Sequence, residues 1–114
     1  MHDISDFAAQ AFDRAMNAKR TLRVAVERHR ACRIGLARAE ELKAQAEENI
    51  IEASMNGKPA KILYNIFYRN CAECANMLRN ELHSSKVEMY NAARAVRREM
   101  DLYKALSFLN VLEN

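Results

Sequence analysis

A chain of 114 residues holds enough for one core, but not for a catalytic domain joined to a regulatory one. Two Gly and one Pro leave little material for turns, and they exclude a phosphate-cradling glycine loop or a nucleophile elbow. The formal charge of +3 is modest, and three cysteines without framework spacing suit a reducing compartment where thiols stay free.

Ala, Leu, Arg, Lys, Glu and Met dominate and β-branched residues are sparse, so propensity points to an all-α fold. No apolar run approaches the ~18 residues that cross a bilayer. The opening "MHDISDF" carries acids where a signal peptide has a basic patch and an apolar stretch. A cytoplasmic protein without a membrane segment is expected.

The first predicted helix spans about 4–56, with Asp3 or Ser5 as cap and Asp3 and Asp6 facing the positive end of its dipole. Steps of seven from Ile4 give Ala11, Ala18, Ala25, Cys32, Ala39, Ala46 and Ala53. The companion positions four residues on are Ala8, Ala15, Leu22, His29, Leu36, Lys43 and Ile50, a seam with two polar members. Such a run of small residues lets a partner helix approach closely. Gly35 lies within it without changing its phase and reads as a tolerated glycine.

The strongest punctuation is "MNGKPAK" at 55–61, where Asn56-Gly57 suits a helix C-cap and Pro59 a first helical turn. The second helix is expected over about 59–112. Its seam is Cys71, Ala75, Leu78, Leu82, Ser85, Met89, Ala92, Val96, Glu99, Tyr103 and Leu106. Larger members here complement alanine opposite. Ser85 followed by Glu88 matches a capping box, so a break near 84–85 is weighed.

The expected architecture is one helical domain over 1–114, a long antiparallel hairpin turning near 56–59. A lone hairpin buries little apolar surface, and Phe12, Met16, Val26, Ile62, Ile66, Phe67, Tyr68, Tyr90 and Met100 lie off the seam. Dimerisation into a four-helix assembly covers them most simply. The alternative folds each helix, at Gly35 and Ser84-Ser85, into a compact monomeric four-helix bundle.

Charge is unevenly spread. Residues 13–38 hold Arg14, Lys19, Arg20, Arg23, Arg28, Arg30, Arg33 and Arg38 against Asp13 and Glu27, whereas 39–58 hold five Glu against Lys43 and Lys58. In a hairpin, Arg94, Arg97 and Arg98 return beside the basic half. A nucleic-acid contact to the phosphate backbone is one reading, a solvated surface another, an acidic protein partner a third. Turning each residue of helix 1 by 100° spreads the cations around it rather than along one stripe. No aromatic residue lies between Arg14 and Arg38, so single-strand stacking has no platform there.

Catalytic constellations are missing, and Glu40-Glu41 and Glu47-Glu48 diverge on a helix as solvent-facing residues do. No enzyme and no cofactor are expected. Cys71 and Cys74 in "NCAEC" share a helix face, but a turn near 57–58 pairs positions whose numbers add to roughly 115, which sets them against Ala44 and Glu41 rather than ligands. That register brings His83 toward Cys32 and His29, the better metal candidate of the two; none is expected. The aromatic stretch "LYNIFYRN" and the terminal "LSFLNVLEN" make Tyr64, Phe67, Tyr68, Phe108 and Leu109 candidate partner-binding residues.

In architecture alone, the layout resembles helical-hairpin adaptors, the small stalks and chaperones of bacterial secretion systems, and hairpin dimers that bind RNA; the likeness covers no individual residue. The expectation is a non-enzymatic interaction module, an adaptor, chaperone or inhibitor docking on a larger assembly such as a secretion apparatus, with homodimerisation. The alternative is duplex or structured-RNA binding through the basic half.

Overall fold

The computed structural model describes residues 3–55 and 61–113, with side chains of the second segment described from Tyr64 onward. Two helices account for nearly all of it: α1 (Ile4–Met55) and α2 (Lys61–Glu113), packed as an antiparallel hairpin. The turn expected near 56–59, with its Gly57 cap and Pro59, lies outside the described residues.

Asp3 starts α1. Its Oδ1 accepts the backbone N–H of Asp6 at 3.0 Å, which satisfies one of the orphan donors at the helix start, and its carbonyl accepts that of Phe7 at 3.2 Å as the first bond of the helix. Between the two cap candidates, Asp3 takes the role and Ser5 falls inside the helix.

Neither Gly35 nor Ser84-Ser85 interrupts a helix, which overturns the compact four-helix alternative. The physical reason is local. A Cβ built at Gly35 would meet the Leu78 methyls at 3.5 and 3.6 Å, ordinary contact, so the glycine answers no need for bending. Ser85 is fully buried in the seam, and no buried side-chain N or O among the described residues lacks a partner. It packs as a small residue rather than capping a third helix.

The predicted seam is the observed core. Ala8, Ala11, Ala15, Ala25, Ala39, Ala46 and Ala53 on α1 and Cys71, Ala75, Ser85 and Ala92 on α2 are buried. The larger members, Leu22, Leu36, Ile50, Leu78, Leu82, Met89, Val96, Tyr103 and Leu106, are half-buried. No described side chain bulkier than serine is fully buried. Small residues therefore set close approach, and the bulky ones straddle the seam with one edge in water.

The chain forms two compact units: 1–28 with 85–114, and 29–84. Each contains a length of both helices. In the first, Phe12 meets Tyr103 with ring centroids 5.4 Å apart, Arg14 Nε lies 3.3 Å from Glu99, and Arg28 pairs with Glu88. In the second, Arg79 pairs with Glu40 and Gly35 neighbours Leu78. All of these pairs follow the antiparallel register read from the sequence.

The polar seam members are answered locally. Glu99, half-buried, takes Arg14 and has Arg98 Nε at 3.9 Å. Lys43 holds its ammonium 5.8 Å from the centre of the Tyr68 ring, a cation–π contact of about 0.5–1 kcal/mol. A charged residue in the seam thus keeps its tip outside while its stem packs.

Candidate interaction surfaces

With a core built from alanine, the bulky apolar side chains end up outside. Among the described residues seventeen large hydrophobic side chains are exposed, far beyond the scattered singles that need no explanation. They are densest toward the chain termini. In the 1–28/85–114 unit, Phe7, Phe12, Leu102, Phe108, Leu109, Val111 and Leu112 are all exposed. Phe108 is 65% exposed and Val111 71%. A shallow groove in this unit is lined by Ser5, Ala8, Ala9, Phe12, Asp13, Tyr103, Ser107, Asn110 and Val111. The backbone cause is the helical period: seven-residue spacing uses two of every seven positions for the seam, and this terminal stretch is apolar at most of the others.

The five candidate apolar residues divide between the units. Phe108 and Leu109 belong to the first and stand exposed. In the second, Phe67 is exposed, while Tyr64 and Tyr68 sit at seam spacing and are half-buried. Tyr68 is engaged by Lys43, so its ring is committed within the fold. Among the off-seam residues, Val26, Ile66 and Tyr90 are exposed, Met16 and Met100 are half-buried, and Ile62 lies outside the described side chains. Phe7, Val111 and Leu112 were not among the named candidates: Val111 and Leu112 lie in the same stretch "LSFLNVLEN" that marked Phe108, and Phe7 is an apolar residue off the seam phase.

All ten candidate arginines are exposed: Arg14, Arg20, Arg23, Arg28, Arg30, Arg33, Arg38, Arg94, Arg97 and Arg98. They differ in what they touch. Arg14 and Arg28 cross to glutamates of α2, Arg98 approaches Glu99, Arg38 pairs with Glu41 three residues on, and Arg20 donates to Asn17 Oδ1 at 2.8 Å. Arg23, Arg30, Arg33, Arg94 and Arg97 make no ion pair among the described residues. Exposed pairs of this kind contribute about 0–1 kcal/mol each, so the paired set orients side chains more than it holds the fold.

His29 and Cys32 are half-buried and His83 is exposed, and among the described residues no three His, Cys, Asp or Glu side chains gather as a metal-binding group. Cys71 is buried and Cys74 exposed, one in the seam and one on its flank; all three cysteines are free thiols. No helix among the described residues is long and apolar enough to cross a membrane.

Compared with protein-family models, curated proteins and solved structures, the chain returned no match.

Proposed function

We propose that the protein is a non-enzymatic interaction module, a helical hairpin that dimerises and docks on a larger assembly as an adaptor, chaperone or inhibitor, in the manner of secretion-type apparatus. The observation that carries this reading is the inverted distribution of bulk. Among the described residues nothing larger than serine is fully buried, while Phe7, Phe12, Phe67, Phe108 and Leu109 face water. Exposed aromatic and aliphatic side chains on rigid helices are the usual anchors of protein interfaces. Sedimentation velocity across a concentration series tests the reading, with a dimer expected. A chain that stays monomeric throughout and binds no hydrophobic dye would refute it.

One observation favours a second reading, nucleic-acid binding. Arg23, Arg30 and Arg33 are exposed on one turn-to-turn stretch of α1 and carry no ion pair among the described residues. Free guanidinium groups neutralise phosphates and release counterions. Changing all three to Glu abolishes duplex and RNA binding at low salt if this reading holds. Unchanged affinity eliminates it.

A further inference from the structure

In the 1–28/85–114 unit, the two sides of the hairpin differ in chemistry. The Phe12–Tyr103 contact and the groove that joins Phe12 to Ser107 and Val111 mark one side. Seven-residue spacing carries that side from Phe12 to Lys19 and Val26 on α1, with Met16 and Arg23 beside them. On α2 it runs from Val111 through Lys104 and Arg97 to Tyr90, and from Ser107 through Met100 to Lys86.

Five cations stand on this side, Lys19, Arg23, Lys86, Arg97 and Lys104, and none makes an ion pair among the described residues. By the same spacing, Asp6, Glu27 and Asp101 fall behind, Asp3 and Glu88 toward the opposite edge, and Glu99 and Glu113 at seam phase, while Asp13 lines the groove. On the opposite edge Arg14, Arg28 and Arg98 are all met by glutamates. One side is thus neutralised and the other is left basic, with Phe12, Val26, Tyr90 and Val111 exposed between its charges.

The complement is present in the same chain. Around residues 37–52 of α1, Ala37, Ala44 and Ile51 form an exposed stripe at spacing seven, bordered by Glu40 and Glu47 on one flank and Glu41 and Glu48 on the other. Glu40 is held by Arg79 and Glu41 by Arg38, while Glu47 and Glu48 have no ion pair among the described residues. Phe12 to Val26 and Ala37 to Ile51 each cover about 21 Å of helix, so the two surfaces match in length.

We propose that the basic side of the 1–28/85–114 unit is a dimer interface that receives the Glu-bordered stripe of α1 residues 37–52 from a second copy. A two-fold axis lets each copy give and receive once. The occupant is a helix rather than a phosphate backbone because phosphates would leave Phe12, Val26, Tyr90 and Val111 in water.

The proposal rests on the dimer reading above, and charge exchange separates the two. In sedimentation equilibrium on the full chain, Arg23→Glu with Arg97→Glu, and separately Glu47→Lys with Glu48→Lys, each raise the dimer Kd at least tenfold. Salt at about 1 M weakens the wild-type dimer in the same direction. Mixing the two variants restores a one-to-one dimer, and so does combining all four changes in one chain. Circular dichroism confirms that each variant keeps wild-type helicity. A wild-type chain that never dimerises overturns the dimer reading itself. A dimer indifferent to the arginine changes, or sensitive to them but not to the glutamate changes, overturns only this interface. A monomer whose duplex binding is abolished by Arg23→Glu with Arg97→Glu assigns the basic side to nucleic acid and overturns both.

Discussion

Replacing Gly35 with alanine stabilises the protein, by an amount that follows from its surroundings. The residue lies deep inside α1, where glycine costs about 0.8–1.0 kcal/mol relative to alanine because more backbone freedom is lost on folding. The added methyl has room. Its position is 3.5 and 3.6 Å from the two Leu78 methyls, ordinary van der Waals separation, so no neighbour has to shift. Two such contacts add a few tenths of a kcal/mol of dispersion. The expected gain is about 1 kcal/mol, a rise in Tm of about 4 °C for a chain of this size. Thermal and urea unfolding followed by circular dichroism at one fixed protein concentration measure it, since a dimer's Tm depends on concentration. Repeating the change in a Leu78→Ala background separates its parts: the helix-propensity gain persists and the contact gain disappears. A loss of stability on Gly35→Ala would refute the reasoning, because it would mean either a bend at residue 35 or a tighter approach of α2 than the register allows.

Two further outcomes follow from the alanine seam. Ala25 is 1% exposed, so Ala25→Leu forces the helices apart and costs about 1–3 kcal/mol in urea unfolding, whereas Val24→Leu, on an exposed neighbour, stays within about 0.5 kcal/mol; equal effects would disprove close approach at that layer. Under native conditions a thiol reagent modifies Cys74 at once, and Cys71 only at the rate at which the hairpin opens. Mass spectrometry of timed samples reads this order, and simultaneous modification would place the register of α2 elsewhere.

The seam was legible because its signal is periodic. Alanine every seven residues from Ala11 to Ala53 leaves a single phase in which to bury α1, and Cys71 to Leu106 do the same for α2. The cap was narrowed to two candidates, and only the hydrogen bonds to Asp3 chose between them. The Ser85–Glu88 capping box, weighed as a break against the continuing apolar phase, does not break the helix: Ser85 serves as a small seam member and Glu88 as an edge partner for Arg28. Tyr64 and Tyr68, read as surface anchors from local aromatic density, fall at seam spacing, which a count of aromatics does not register.

By itself, the sequence determined the number of elements, their phase and the composition of the core, because each is a property of one helix and its period. The distribution of charge over the hairpin is of another kind. Along α1 alone the cations circle the helix. Only when α2 packs antiparallel do Lys86, Arg97 and Lys104 join Lys19 and Arg23 on one side, while Glu88 and Glu99 cancel Arg28 and Arg14 near the other. Which flank of one helix meets which flank of the other is a tertiary choice, and it decides which charges remain free to bind.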